Sequence, residues 1–315
     1  MPRLIDTHVH VSWHFNQSGV IAQKDDTPQE QEWGALQSVG ANSEKPLRDA
    51  IDRGDIPGPN ILTSLQPITD SKLSVDQIRE AVRKSKADGA DVIKIFASTG
   101  LGSGGTPTLS QEQLNAACGE AKAVGLRSVV HAFGHAVGMS AIAGCTSVEH
   151  GLFATDDDLQ AMAEHGTYFD PQVALVFRNY IEQREHYPAF TDKTLEILRD
   201  AIPKADALVE HALTIPNLKI VFGTDAVAGA HGQNARELVA RVREAHMPPV
   251  RALVGAQSLA AEALGIGDRI GSIATGYDAD IIAVDGEPLT DISATQRVVF
   301  VMKGGIVIRN DAVHQ

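Results

Sequence analysis

Short apolar runs alternate with amphipathic stretches along most of this chain. The apolar runs, such as residues 92–96 and 219–222, are rich in β-branched side chains, whereas stretches such as 76–88 and 156–165 repeat apolar positions every three or four residues. The first pattern is typical of buried strands and the second of helices that cover a sheet. Strand and helix patterns follow one another in turn, which predicts parallel strands joined by helical crossovers.

Counting the apolar runs gives seven or eight strands, which lie near residues 4, 36, 61, 92, 128, 147, 168 and 220. Eight strand–helix units close into a (β/α)8 barrel of the TIM type, and this is the α/β fold that we expect. The mixed segment 11–34 is interpreted as a long loop, whose Trp13 and His14 either face a substrate or pack at the surface. A helix is expected over residues 191–213, with an interruption near Pro203.

From Arg269 onward the helical pattern stops. Short β runs at 270–274, 279–284, 297–301 and 306–309 predict an antiparallel appendage, with a turn at Gly304 and Gly305. We therefore divide the chain into a barrel domain, residues 1–268, and a small β domain, residues 269–315.

Composition narrows the class of protein. The 315 residues are 43 % apolar and carry a formal charge of −13. No basic stripe is present, which argues against binding to nucleic acid or to an anionic membrane. The N-terminus lacks the layout of a signal peptide, and no apolar run approaches the length of a membrane span, so a cytoplasmic protein is expected. Cys118 and Cys145 are expected to be reduced core thiols rather than a disulfide.

Side chains that can bind a metal ion occur on several of the predicted strands. His8 and His10 are two residues apart at the end of the first strand, so both point the same way. The full set is His8, His10, Lys94, His131, His150 and Asp225. Each of these residues alone could have a purely structural role, such as a core histidine or a capping aspartate. Structural roles do not explain why all six residues should lie at the same end of the barrel. Because barrel enzymes build their sites at the carboxyl ends of the strands, the set predicts a metal site there.

The motifs around these residues resemble those of the metal-dependent amidohydrolase superfamily, and within it the imidazolonepropionase-like and prolidase-like amidohydrolases. They are LIDTHVH, ADVIKIFAS, VVHAFGH, SVEHG and VFGTDA, with the tail ATGYDADIIAVDGEP, and together they span nearly the whole chain. The resemblance implies two divalent metal ions, usually zinc, although manganese, iron or cobalt also suit nitrogen and oxygen ligands. It assigns one ion to His8, His10 and Asp225 and the other to His131 and His150, bridged by an N6-carboxylated Lys94.

The same resemblance implies a mechanism. A water that bridges two metal ions loses its proton near neutral pH. Asp225 would accept that proton as general base and deliver it to the leaving nitrogen as general acid. Candidates for polarising the carbonyl oxygen are His135, Tyr168, Tyr180 and His231. Arg178 and Arg236 are candidates for holding a substrate carboxylate, but solvated helix charges explain them equally well.

We therefore predict a binuclear hydrolase that cleaves the C–N amide bond of a small molecule, either a dipeptide or an N-acyl amino acid. The first alternative is a cyclic-amide hydrolase or a deaminase of the same superfamily. Mononuclear deaminases of the superfamily usually carry a His-x-x-Glu pattern, and His131-Ala-Phe-Gly lacks that glutamate. A non-catalytic, truncated scaffold is the third alternative, since a fold alone does not prove activity.

The N-terminus departs from the family pattern. Full-length relatives usually begin with a β segment that completes a small β-sandwich, whereas here Met1-Pro2-Arg3 leads directly into the first strand. We expect an incomplete sandwich, either because the sequence is truncated or because the small domain is a half-sheet. Unpaired edges of a half-sheet would favour a homo-oligomer.

Overall fold

The computed structural model describes residues 1–16, 18–21 and 44–311. From Val92 to Leu264 each strand is followed by one or more helices, and strands predominate after residue 264. In chain order the elements are α1 (Glu44–Arg53), α2 (Val75–Asp88), β1 (Val92–Phe96), α3 (Gln111–Ala123), β2 (Arg127–Ala132), α4 (Ala136–Ile142), β3 (Ser147–His150), α5 (Asp156–His165), β4 (Tyr168–Asp170), α6 (Leu175–Glu182), α7 (Asp192–Ala212), β5 (Lys219–Ile220), α8 (Ala235–Arg243), α9 (Pro249–Gly255), α10 (Ser258–Leu264), β6 (Ile281–Val284), β7 (Val298–Lys303) and β8 (Ile306–Asn310). Short 3₁₀ turns lie at Leu101–Ser103, Arg184–His186 and Ile292–Gln296.

Strands β1 to β5 form one parallel sheet in sequence order, so the predicted α/β class is confirmed. Two further segments extend this sheet. Ile68 bridges Ile95 of β1 in parallel, and Val9 bridges Ala226 in parallel. The amide of Thr7 donates to the carbonyl of Phe222, which holds the His8–His10 segment beside the chain that leaves β5. The strand predicted near residue 36 lies outside the described residues.

Capping side chains fix where several helices begin. Ser74 accepts a hydrogen bond from the amide of Gln77, whose side-chain oxygen accepts one from the Ser74 amide, and Ser110 and Gln113 do the same at α3. These capping boxes satisfy amides that have no partner inside the helix. The interruption expected near Pro203 was wrong, because α7 runs unbroken through it. A proline inside a helix removes one backbone hydrogen bond. On either side of Pro203, Leu198 and Ala205 are buried in the core, and this packing stabilises the helix.

The core lies between the sheet and the helices. Ile93 and Ile95 of β1 are buried against it, together with Leu114 of α3 and Leu159 of α5. Burial of each such side chain contributes roughly 1.5–3 kcal/mol. Because side chains alternate along a strand, Lys94 points to the opposite face from its two isoleucine neighbours. That face carries the chemistry described below.

Cys118 and Cys145 form a disulfide, so the expectation of two free thiols was wrong. Cys118 lies on α3, and Cys145 follows the turn after α4. Packing brings their Cα atoms to 4.9 Å, within the range that a disulfide spans. Sequence spacing alone could not show this proximity. Disulfides are uncommon in reducing compartments, so this bond does not favour the predicted cytoplasmic location.

Strands β6, β7 and β8 form a separate antiparallel sheet. The N-terminus joins it, since Pro2 bridges Ile281 in antiparallel fashion and the amide of Arg3 donates to the carbonyl of Asp280. At the other edge β8 is exposed along its whole length, including Ile306 and Ile308. Among the described residues, no helix combines the length and the apolar character that crossing a membrane requires.

Candidate metal centre

The register of the parallel sheet brings polar side chains into one row. Phe96 of β1 pairs with His131 of β2, His131 with Glu149 of β3, and Glu149 with Asp170 of β4. Lys94, two residues before Phe96, shares the same face because the side-chain period of a strand is two. This row therefore runs across the carboxyl-terminal half of the sheet.

Two of the predicted ligands have a left-handed backbone. His150 has φ of 69° and Asp225 has φ of 52°, a conformation that is uncommon for residues other than glycine. At His150 this conformation interrupts strict alternation, so that both Glu149 and His150 reach the cluster. Gly151 continues the bend, and a Cβ atom there would lie 2.4 Å from the ring of Phe169. Backbone strain of this kind concentrates at functional sites.

The predicted metal ligands come together around His8. Asp225 Oδ1 lies 3.0 Å from His10 Nε2 and 3.5 Å from His8 Nε2. The His150 ring centroid lies 5.6 Å from that of His8 and 4.6 Å from that of His131. Residues that are far apart in the sequence, from His8 to Asp225, thus converge on one cluster.

Lys94 occupies the floor of this cluster. Its side chain is 1 % exposed, its Nζ lies 3.5 Å from His8 Nε2, and it makes a close ion pair with Oε2 of Glu149. The sequence interpretation did not include Glu149. Oε1 of Glu149 has no hydrogen-bond partner within the described part of the chain. A buried carboxylate oxygen without a partner is costly, so the cluster lacks a positive charge at this point.

The donor set fits divalent metal ions. Ligand atoms of His8, His10 and Asp225 lie within 4.8 Å of one another, and so do those of His8, Glu149 and His150. Imidazole nitrogen and carboxylate oxygen are ligands of zinc and of similar ions. An ammonium group cannot bind a cation, so Lys94 fits only after its charge is removed.

Burial keeps the cluster histidines neutral. It lowers the pKa of His131 to about 2 and that of His150 to about 4, and nearby positive groups act in the same direction on His131. The pKa of His8 is likewise well below its usual value, mainly because the ring is buried. Only a neutral imidazole offers a lone pair to a metal, so these three rings are ready to bind at neutral pH.

The pKa values of Lys94 and Asp225 are shifted for different reasons. Burial lowers the pKa of Lys94 to about 7, although the charges of Asp225 and Asp170 oppose that change. For Asp225 burial acts to raise the pKa, but the hydrogen bond from His10 and the positive neighbours lower it overall. Asp225 is therefore ionised, and Lys94 is partly unprotonated, at neutral pH.

Neighbouring polar groups orient the ligands. Asp6 accepts hydrogen bonds from the amide of His8 and from the amide and hydroxyl of Thr224, and Asn234 also donates to it. Burial nevertheless raises the pKa of Asp6 to about 7. Gln172 accepts from the amide of His150 at 3.0 Å and places its Nε2 3.3 Å from His8 Nδ1.

Two of the predicted carbonyl-polarising residues lie elsewhere. Tyr168 begins β4, and its hydroxyl donates to Glu262 at 2.6 Å and contacts Lys219. It shares a face with Asp170 but sits at the opposite end of the strand. His135 is 75 % exposed and pairs with Asp158 at 3.3 Å. The contacts of neither residue include a cluster ligand, so we remove both from the candidate site.

Three other side chains lie nearer. His231 Nε2 is 3.0 Å from the carbonyl oxygen of His10, and burial lowers its pKa. Tyr180 is close enough for the charge of Asp225 to contribute to its raised pKa, after the larger effect of burial. Trp13 packs its ring over His10 at 4.7 Å and is 41 % exposed. His231, Tyr180 and Trp13 therefore remain candidates for substrate contacts.

The two arginines proposed for a substrate carboxylate are engaged in other pairs. Arg178 makes a two-pronged ion pair with Glu244, and Arg236 makes one with Glu182 at 2.7 and 3.0 Å. Surface pairs of this kind explain both arginines without a ligand.

Sequence reasoning missed Glu149 and Gln172. Strict alternation puts Glu149 and His150 on opposite faces, so the choice of His150 as a ligand excluded Glu149; the register places Glu149 beside His131, and the bend at His150 brings His150 there as well. The available signal was the sequence His150-Gly151, because glycine after a strand often accompanies a positive φ. Gln172 follows Pro171 beyond the end of β4, where no pattern marks it.

Comparison with known proteins gives concordant results. The chain is 30 % identical over 255 residues to ochratoxinase of Aspergillus niger, covering 76 % of this chain and 50 % of that protein. It is 29 % identical over 174 residues to imidazolonepropionase of Desulfotalea psychrophila, covering 53 % of this chain and 36 % of that protein. The chain thus spans half or less of the length of these curated relatives.

A solved structure described as a Xaa-Pro dipeptidase with methionine bound in the active site superposes with a TM-score of 0.85. The identity is 29 %, with 98 % of this chain and 86 % of that chain covered. The model of the amidohydrolase family matches residues 1–308. This chain therefore belongs to the amidohydrolase family.

Proposed function

We propose that the protein is a binuclear metal-dependent hydrolase that cleaves the C–N amide bond of a dipeptide or an N-acyl amino acid. The observation that carries the proposal is the convergence of His8, His10, His131, His150 and Asp225 around the buried Lys94. Membership of the amidohydrolase family supports the same chemistry.

In this proposal His8, His10 and Asp225 hold one divalent ion, and His131 and His150 hold the other. Two bound ions would supply Lewis acidity and lower the pKa of a water between them. Zinc suits the nitrogen and oxygen donors. Lys94 would bridge the ions after its Nζ adds to CO₂, forming a carbamate and releasing a proton. The buried amine supports this step because its lowered pKa leaves part of it unprotonated.

Asp225 would move the proton of the reaction. Its carboxylate is ionised and faces His8 and His10, so it is placed to accept a proton from the attacking water. When the C–N bond breaks, the same carboxyl group returns that proton to the leaving nitrogen. Asp225 has a left-handed backbone, and its carboxylate lies beside the rings of His8 and His10.

The rim above His10 would contact the substrate. Trp13 offers an apolar surface there, and His231 and Tyr180 offer polar groups near the cluster. The dipeptidase that this chain resembles holds methionine in its active site, which supports an amino-acid product. Ochratoxinase among the relatives makes N-acyl amino acids a second class to test.

The finer features of the fold remain proposals as well. Closure of the sheet into an eight-stranded barrel is supported by the parallel segments at its two edges, near Val9 and Ile68. The domain boundary at residue 268, the cytoplasmic location and a homo-oligomer remain predictions.

The decisive experiment combines metal analysis of the purified protein with a screen of dipeptides, N-acyl amino acids and lactams. We expect two metal ions per chain and amide hydrolysis. Lys94→Ala should lose most activity, and a short carboxylic acid that fills the vacated space should restore part of it. Lys219→Ala, which removes a lysine at the other end of the sheet, should keep activity. One tightly bound ion together with full activity of Lys94→Ala would refute the proposal.

A further inference from the structure

Glu149 is a buried carboxylate in contact with Lys94 and His8 that the proposed ligand set does not use. Its side chain is 1 % exposed, and Oε2 faces the ammonium of Lys94. Oε1 lies 3.4 Å from Nδ1 of His8. No hydrogen bond to Oε1 is formed by the residues that the structure describes. The position of this oxygen therefore requires an explanation.

His8 presents its two ring nitrogens to different neighbours. Nε2 faces Asp225 at 3.5 Å and Lys94 at 3.5 Å. Nδ1 faces Oε1 of Glu149 at 3.4 Å and the amide nitrogen of Gln172 at 3.3 Å. A neutral imidazole carries a proton on only one nitrogen, so Nδ1 can satisfy one of these neighbours but not both.

Gln172 cannot turn to remove the conflict without loss. Its Oε1 accepts the amide hydrogen of His150 at 3.0 Å, which fixes its Nε2 toward His8. If His8 carried its proton on Nε2, Gln172 would donate to Nδ1, and Oε1 of Glu149 would face a lone pair. If the proton is on Nδ1, the carboxylate gains a partner and Gln172 leaves one amide hydrogen unused.

The second arrangement is the more stable one. A hydrogen bond to an ionised carboxylate contributes more to stability than a hydrogen bond between two neutral groups. Leaving a buried carboxylate oxygen unpaired therefore costs more than leaving one amide hydrogen unpaired. With the proton on Nδ1, the lone pair of Nε2 points at the space beside His10 and Asp225.

We propose that Glu149 is a positioning residue for the metal ligand His8: its Oε1 accepts the Nδ1–H of His8 and so directs Nε2 toward the metal. Metal-binding histidines usually donate their other ring N–H to such an acceptor, which fixes the tautomer and the ring orientation. Glu149 has a second role. When Lys94 carries no carbamate, Oε2 of Glu149 balances the positive charge of that lysine.

The inference rests on the metal site of the proposed function, and its test separates the two. Zinc affinity is measured by competition with a chromophoric chelator, and the ring nitrogens of His8 are followed by ¹⁵N NMR, with His8→Gln for assignment. Glu149→Leu removes the acceptor, and Glu149→Gln keeps a neutral acceptor of the same shape. Thermal unfolding of each variant checks that it is folded.

We expect zinc affinity to fall about 10–100-fold in Glu149→Leu and less in Glu149→Gln, because outer-shell partners have effects of this size. The wild-type protein should show protonated Nδ1 in His8, and Glu149→Leu should lose that preference. Gln172→Leu should keep protonated Nδ1. Glu262→Gln, which changes a remote carboxylate paired with Lys219, should keep the wild-type zinc affinity.

Three outcomes would contradict these expectations in different ways. Equal zinc affinity and an unchanged His8 signal in Glu149→Leu would overturn the positioning role. Loss of one whole metal equivalent in both Glu149 variants would overturn it too, because Glu149 would then itself be a ligand. A wild-type protein that binds no divalent metal would instead refute the proposed function on which the inference depends.

Discussion

Two buried charged networks lie side by side in this protein, and they differ in how completely they are paired. The first is the metal-ligand cluster around His8. The second is centred on Arg241 of α8, which is 1 % exposed and donates to Asp170 at 3.3 Å, to Glu237 at 3.1 Å and to the carbonyl of Gly223 at 2.9 Å. We call this second set the Arg241 network.

The Arg241 network satisfies its own charges. Glu237 also accepts the amides of Val173, Ala174 and Leu175 at the start of α6, where negative charge is favoured. Glycine at 223 makes room for the network, since a Cβ atom there would lie 1.9 Å from Asp170. In the His8 cluster, by contrast, Oε1 of Glu149 forms no hydrogen bond with the residues described, and His150 and Asp225 have a left-handed backbone. A complete network stabilises the fold, whereas an incomplete one is suited to a ligand.

The largest effect is expected from breaking the complete network. Arg241→Met removes the central cation and leaves buried carboxylates without their partner, which should cost about 3–5 kcal/mol of unfolding free energy. The loss should be the same with and without added zinc. Chemical denaturation measures it, and Arg243→Met, on the same helix but paired at the surface with Asp291, should cost less than about 1 kcal/mol.

Acid should weaken the His8 cluster selectively. The folded-state pKa of His150 is about 4, below its usual 6.5, so the unfolded chain binds protons first. The stability that neutral His150 provides is complete above pH 6.5 and is lost as pH falls toward 4, by roughly 3 kcal/mol.

The contribution of Asp170 to stability changes with pH in the opposite direction. Burial raises the pKa of Asp170 to about 6, so its contribution to the unfolding free energy falls as pH rises from 3.8 to 6. Unfolding free energies of metal-free protein from pH 4 to 7 should therefore rise less steeply with pH in His150→Gln than in the wild type. Equal slopes would contradict the assignment to His150.

Metal should stabilise only the incomplete network. Zinc at a hundred times its dissociation constant should raise the unfolding free energy by about 2.7 kcal/mol for each site, and a chelator should abolish the gain. Asp225→Asn should respond less, and Arg243→Met should respond as the wild type does. Thermal unfolding with and without zinc measures the difference, and a zinc effect that survives in Asp225→Asn unchanged would place the ion elsewhere.

The smallest effect on stability is expected at Thr7, whose side chain connects the His8 cluster to the Arg241 network. The hydroxyl of Thr7 donates to Asp170 at 2.8 Å, one residue before His8. Thr7→Val keeps the shape and removes that bond, which should cost about 1–3 kcal/mol. Because the backbone of Thr7 stays bound to Phe222, zinc affinity should change by less than about threefold. A larger change would mean that the two networks are coupled through this hydroxyl.

Much of the site could be predicted from the sequence because its ligands end apolar runs. His131 and His150 stand where β2 and β3 stop, and parallel strands bring such ends together. The prediction for Tyr168 was wrong because this residue lies at the start of β4, away from the carboxyl end where the site is built. The buried Asp170 lies at the other end of the same strand. To predict a site residue, its position along the strand must be considered as well as the strand to which it belongs.

Other features depend on tertiary contacts that no local pattern reports. The bend that brings His150 to the same cluster as Glu149 is a backbone conformation of His150. The Cys118–Cys145 bond follows from how α3 packs beside the chain before β3. Arg241 looks like a surface charge in the sequence of α8, and only its neighbours at Gly223 and Asp170 account for its burial.

The pairing of Pro2 with Ile281 has a consequence for biosynthesis. The segment that carries His8 and His10 is synthesised before the residues that hold it, which are residues 222–226 and, through Pro2 and Arg3, those of β6. Contacts that join such distant parts of a chain form slowly because loop closure must precede them. We therefore expect the metal centre to be assembled only after residues 222–226 have been synthesised, so that metal is acquired late in folding.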